Sequence, residues 1–152
     1  MTNSTTYPDS LTRAAAPGVT ALLGRFWTEL APLADLLARD EQLLCAQVLG
    51  QARQTVVEMM LALNGIAWPP GTRHLNSYLG ASQRTAIERT LLLPQVGRDG
   101  WIGQAVALTV IYRWYAPQLV EAYAVTYPHA AETATLAALH TLPEWPLAIT
   151  SD

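Results

Sequence analysis

The chain reads as an all-α domain, an antiparallel bundle of five to seven helices, and three observations predict it. Apolar residues recur at three- and four-residue steps in every long segment, while the two-residue alternation of a strand is nowhere sustained. Proline falls at the ends of those segments or between them, apart from Pro32 and Pro117. The 152 residues are 51% hydrophobic with one cysteine, Cys45, enough to fill a single core without a disulfide.

Each element follows from local signals. Residues 18–39 form one helix or two joined at Pro32, with Arg25/Glu29 and Asp35/Arg39 four apart on a solvated face. Asp40 is the expected N-cap of a long helix that Asn64-Gly65 stops. Inside it Cys45, Leu49, Ala52, Val56, Met59 and Leu63 share one face, and Gln47, Gln51, Gln54 and Glu58 line the other. A turn at Trp68-Pro69-Pro70-Gly71 precedes a short helix from about Thr72, then a helix capped by Ser82 that runs to about Leu93 and is ended by Pro94. A hydrophobic helix from Asp99 to about Thr126, bent or broken at Pro117, is apolar nearly all round, as a central bundle member or a subunit interface would be. The last helix starts at Pro128 and reaches about Leu142. Residues 18–142 thus make one helical domain between irregular tails, 1–17 and 143–152.

Composition excludes several function classes. The nine basic residues, all arginine, are scattered and the net charge is −3, so there is no footprint for a nucleic acid. The most apolar stretch, Trp101 to Ala116, is interrupted by Gln104 and Arg113 and is too short for a membrane span. MTNSTTYPDS has neither a basic nor an apolar signal region, and a cytoplasmic location is expected. His129 and His140 lie about 16 Å apart along a helix and cannot share a metal. No local motif for a metal, a serine nucleophile or a phosphate-cradling loop is present, so no catalytic residue, metal or cofactor is expected.

Two clusters remain as candidate ligand-binding residues. Asn64, Trp68, Arg73, His74 and Tyr78 gather hydrogen-bonding and stacking groups around a rigid turn, the kind of loop that binds ligands on a helical scaffold. The structural alternative is that Trp68 plugs the bundle end, Asn64 caps a helix and Arg73 is solvated. Arg113 sits among Tyr112, Trp114 and Tyr115 in the most apolar helix, facing either a ligand or solvent.

Leu61-Ala62-Leu63-Asn64-Gly65, followed by Trp68-Pro69-Pro70-Gly71-Thr72-Arg73-His74-Leu75, resembles a pattern in the helical C-terminal domains of antibiotic-type nucleotidyltransferases, over about residues 40–93. Those domains end a long helix in a leucine-asparagine pair, pass an aromatic and a Pro-Gly turn, and resume with a basic residue. Free-standing relatives, the HEPN or nucleotidyltransferase substrate-binding group, form homodimers and pair with a separate catalytic chain. The resemblance therefore implies a non-catalytic helical binding or accessory subunit, with a small-molecule or nucleotide ligand. The Gly-Ser turn and paired aspartates of the catalytic domain are missing here, as is the arginine-then-histidine spacing of HEPN ribonucleases. Two alternatives stand beside it: a small helical enzyme with a pocket around Arg113 that uses Tyr112 and a histidine, and a structural homodimer joined through the Trp101 to Trp114 face.

Overall fold

The computed structural model describes residues 7–92 and 96–149, and their regular structure is helical apart from one antiparallel bridge, Arg13 with Ile66. Helix α1 (Ala16–Leu30) carries Pro17 in its first turn, where the missing N–H costs nothing. Its buried stripe is Val19, Leu23, Phe26, Trp27 and Leu30. Ala31-Pro32 then separates it from α2 (Leu33–Ala38), so segment 18–39 takes its two-helix form.

Asp40 does not cap the next helix. It adopts a left-handed conformation, φ 54°, and closes α2 instead. Its N–H donates to the Leu37 carbonyl and that of Glu41 to the Leu36 carbonyl, at 3.2 and 3.1 Å, the two bonds of a Schellman stop. Helix α3 (Gln42–Leu63) follows at once and ends the same way at Gly65, φ 86°. Here the Gly65 and Ile66 N–H groups reach Ala62 and Leu61, each at 2.9 Å.

Residues 72–74 are not helical. The Thr72 hydroxyl accepts the His74 N–H at 3.1 Å, a local turn that competes with helix initiation, and only a 3₁₀ turn, Leu75–Ser77, forms. Helix α4 (Ala81–Arg89) is capped at Gly80, not Ser82, because the Gln83 side chain reaches back to the Gly80 N–H at 2.8 Å. A 3₁₀ turn, Thr90–Leu92, comes next, and the expected stop at Leu93–Pro94 lies outside the described residues. Helix α5 (Arg98–Tyr123) is unbroken at Pro117, next to which the Gln118 amide donates to the Trp114 carbonyl at 2.8 Å. Helix α6 (His129–Leu139) begins just after Pro128 and gives way to turns through Trp145.

The hydrogen bonds fix helix directions. Gln42 meets the Trp101 indole N–H at 2.6 Å at the start of α3 and α5, and the Tyr123 hydroxyl meets the Ala62 carbonyl at 2.5 Å at their ends. These two central helices therefore run side by side in the same direction, because residues 64–97 carry the chain back before α5 begins. Helix α1 opposes α3, since Arg25, late in α1, meets Thr55, while the strand bridge that precedes α1 meets the end of α3.

Phe26 and Tyr112 stack with centroids 4.2 Å apart, and Trp27 meets Tyr112 edge-on at 5.1 Å. Each polar tip finds a partner: the Tyr112 hydroxyl donates to the Leu23 carbonyl at 2.9 Å and the Trp27 indole to Tyr127 at 3.1 Å. The described parts of the two ends, residues 7–15 and 140–149, lie outside the α-helices, yet both are tied down. Ala14 donates to Gly65 at 3.2 Å and Ala67 to Thr12 at 3.0 Å, while Leu142 and Trp145 are buried against the core.

Candidate functional site

The loop after α3 is assembled by its own polar side chains. The Asn64 amide donates to the Tyr78 carbonyl at 2.9 Å and to Gln83 Oε1 at 2.8 Å, and Gln83 donates back to Asn64 Oδ1 at 3.2 Å. Asn64 is thus a fastener between the end of α3 and the start of α4. Tyr78 is buried, and its hydroxyl donates to Asp9 Oδ2 at 2.6 Å while accepting the Asp9 N–H at 2.9 Å. Thr72 donates to the same carboxylate oxygen at 2.7 Å. Those two hydroxyl bonds, Tyr78 before Thr72, hold the Asp9 carboxyl below its usual range, and burial pushes the Tyr78 phenol up.

The Arg73 side chain stands outside this network, and His74 joins it through its backbone N–H, which donates to Thr72. Both are exposed, and among the described residues the Arg73 guanidinium has no hydrogen-bond or ion-pair partner. Trp68 is half-buried and packs against the core. One of its faces closes a groove of about 250 Å³ between α1 and the end of α3, walled by Gly18, Val19, Leu22, Ala62 and Ile66. Of the five loop residues singled out, Asn64 and Tyr78 are absorbed in structure, and Trp68, Arg73 and His74 keep surface free.

At the far end of that groove lies a set the sequence reading passed over as a surface pair. Arg25 Nε donates to Thr55 Oγ1 at 3.1 Å and also pairs with Glu29 at 3.4 Å and with Glu58. Thr55, fully buried, passes its own proton to Glu29 Oε2 at 2.8 Å. Burial is the main cause of a raised Glu29 carboxyl, opposed by the Thr55 bond and Arg25. Both Glu29 oxygens are engaged, so the group is a clamp between α1 and α3 rather than a free base. The signal was present: Thr55 and Glu58, three apart on α3, have the spacing to face Arg25 and Glu29, four apart on α1.

Arg113 belongs to a different neighbourhood. Its Nη2 pairs with Glu132 Oε1 at 2.7 Å across α5 and α6. Tyr112, beside it in sequence, is sealed in the core with its phenol pushed far up by burial and offers no acid or base to a pocket. Burial likewise pushes the Cys45 thiol up, as for an inert core cysteine. Among the described residues no three His, Cys, Asp or Glu side chains converge to hold a metal, and no helix is long and apolar enough to cross a membrane. Compared with protein-family models, curated proteins and solved structures, the chain matches none.

Proposed function

We propose that this chain is a non-catalytic helical binding or accessory subunit of the nucleotidyltransferase-associated kind, taking an anionic ligand such as a nucleotide at the Trp68–Arg73 loop. The observation that carries the reading is the unpaired, exposed Arg73 on a loop held rigid by Asn64, Gln83, Tyr78 and Asp9, beside the groove that Trp68 closes. A guanidinium fork on a fixed backbone suits phosphate, and an aromatic beside it suits a base. The resemblance of residues 61–75 to the nucleotidyltransferase-linked domains supports the accessory role, with a separate catalytic chain supplying the paired aspartates that this one lacks.

Calorimetric titration with nucleoside triphosphates tests it. Arg73→Ala is expected to weaken binding by about 1–3 kcal/mol, the value of a charged hydrogen bond, with the melting temperature unchanged. Absence of binding by the native chain, or unfolding of the variant, removes the site.

A homodimer is the second reading, and the surface of α5 favours it. Trp101 is spent inside the chain on Gln42, so the expected Trp101 to Trp114 face shortens. Among the described residues Trp114, 56% exposed, and Pro117 continue a half-buried stripe of Gly103, Val106, Ala107 and Val110 on the same side of the helix. Sedimentation equilibrium is expected to give a dimer that Trp114→Glu reduces to monomer.

A further inference from the structure

The groove between α1 and the end of α3 exists because its walls are small. Gly18 and Ala21 on the α1 side and Ala62 and Ala67 on the α3 side carry at most a methyl group, and a space of about 250 Å³ is left between them, with Leu22 and Trp68 as the larger apolar surfaces. A Cβ placed on Gly18 would meet nothing within 4 Å, so the space reaches the α1 backbone. From Gly18 to Arg25 the helix rises about 10 Å, which sets the length of the groove. Only two of the lining residues are charged, Arg25 and Glu58, and they are paired with each other at one end. That end is not neutral. Arg25 is a single guanidinium shared by two carboxylates, Glu58 and, at 3.4 Å, Glu29. The charge of Glu58 is among the causes that raise the Glu29 carboxyl, after burial, so the two acids act on each other despite the arginine. Glu58 accepts the Arg25 bond through Oε2 alone. Its Oε1 has no hydrogen-bond partner among the described residues, and it is not one of their sealed polar atoms. The Glu58 side chain is 18% exposed where it lines the groove.

We infer that this groove binds a small primary amine with an apolar body, its ammonium on Glu58 Oε1 and its body lying along Leu22 towards Trp68. One surplus negative charge at the end of an apolar groove calls for one cation, and an ammonium also brings a donor to the one open acceptor. A carboxylate would meet two acids and a guanidinium that both already use, whereas a neutral alcohol would leave the charge uncompensated. The Arg25 side chain is 42% exposed, so the remaining N–H groups of the ammonium stay in water at that end and are not stripped of partners. The volume lies just below the usual range for ligand pockets, about 300–1,000 Å³, and admits one ring or a chain of about six carbons. Arg73 is not one of the walls, so the site is separate from nucleotide binding at that residue.

The test uses the full chain and hexylamine, which is charged at neutral pH as lysine is, with 1-hexanol and hexanoate as probes of the same tail. Indole N–H resonances are followed by NMR, that of Trp68 assigned through Trp68→Phe. Hexylamine is expected to move the Trp68 signal saturably, with the alcohol at least tenfold weaker, as the lack of a charged hydrogen bond implies, and hexanoate without effect. Glu58→Gln is expected to weaken hexylamine at least tenfold and to leave 1-hexanol unchanged. Gly18→Leu fills open space with a better helix former, so folding is kept, and it is expected to abolish the hexylamine response. That variant and the comparison with the alcohol decide the matter even if Glu58→Gln does not fold. Equal response to hexylamine and 1-hexanol, or an amine response that folded Glu58→Gln leaves intact, would show an apolar groove without charge recognition. A hexylamine response that survives Gly18→Leu would place the amine elsewhere on the chain. No response at millimolar hexylamine would show that water alone fills the groove. Each of these results overturns the site, and none of them bears on nucleotide binding, which is read through Arg73.

Discussion

Where α1, α5 and α6 meet, Phe26, Trp27, Tyr112 and Tyr127 form an aromatic knot whose polar tips bond to one another or to helix backbone. At the loop after α3, Tyr78, Thr72 and Asp9 form a second polar and aromatic cluster, held by bonds from one irregular segment to another. The knot joins elements that are regular without it, so its bonds add to helices that already satisfy their own backbones. The loop cluster is much of the structure of its region: Asn64, Gln83, Tyr78, Thr72 and Asp9, with the Arg13–Ile66 bridge and the Ala67 bond to Thr12, prescribe the path from Gly65 to Gly80. Loss of the knot should be felt by the whole molecule. Loss of the loop cluster should be felt locally, which is the usual condition of a segment that binds ligands.

Trp27→Ala is the largest break of that contrast. Trp27 is fully buried, stacks edge-on against both Phe26 and Tyr112, and bonds Tyr127. A cost of about 3–5 kcal/mol in a denaturant titration is expected, with all helices lost together. A loss under about 1 kcal/mol would mean that the knot is not the keystone.

Asp9 sharpens the contrast through pH. Its folded carboxyl lies below its ordinary value of 3.8, held there by Tyr78 first and Thr72 second. A depressed carboxyl contributes its stability in full above that ordinary value and loses it as pH falls through 3.8 and on to the lowered folded value. The 7–15 segment should therefore detach from the loop in acid while the bundle is still folded. Hydrogen exchange at the Asp9, Ala14 and Ala67 amides is expected to accelerate below pH 3.8 without matching change in α3. Asp9→Asn should show the acid behaviour at neutral pH. Simultaneous loss of protection in α3 would show that the loop and the core are one cooperative unit.

How much of this was legible in the sequence depended on range. The Asn64-Gly65 stop and the wet face of Gln47, Gln51 and Gln54 are local and read directly, and Pro32 marks where segment 18–39 could divide without deciding that it does. The Arg13–Ile66 bridge and the Asp9–Tyr78 bond join residues far apart in the chain, the latter 69 positions, and no periodicity or cap announces them. Tyr78 was therefore visible as a polar aromatic near a turn, but its assignment to structure required Asp9, in a segment that composition marks only as a tail. Trp145 was hidden in the same way, behind Pro143 and Pro146 in what reads as an irregular end. The shared direction of α3 and α5 was likewise out of reach, since short connections favour antiparallel neighbours and only the return through residues 64–97 reverses that. Asp40 shows the limit of even local signals: aspartate before a helix is a cap by preference, and it was captured by the end of α2.

The smallest expected effect is at Ala124, just beyond α5. Its φ of 53° is left-handed, and the turn it makes lets the Val125 N–H reach the Val120 carbonyl at 3.2 Å. An alanine there meets its own carbonyl oxygen, at a cost of roughly 1–2 kcal/mol that glycine escapes. Glycine gives back about 0.5–1 kcal/mol through the greater freedom of the unfolded chain. The Ala124 methyl is exposed, so no packing is lost with it. The difference leaves Ala124→Gly more stable by about 0.5 kcal/mol, a rise of one or two degrees in melting temperature for a chain of roughly this size. Asp40→Gly is the control, at φ 54°. Aspartate tolerates the left-handed region better than alanine because its side chain hydrogen-bonds locally, so the gain there should be smaller. Equal gains at both positions would show that entropy of the unfolded chain plays no part in the difference and that strain is the same for both side chains. A fall in melting temperature for Ala124→Gly would show that the turn is held by something other than the backbone bond to Val120.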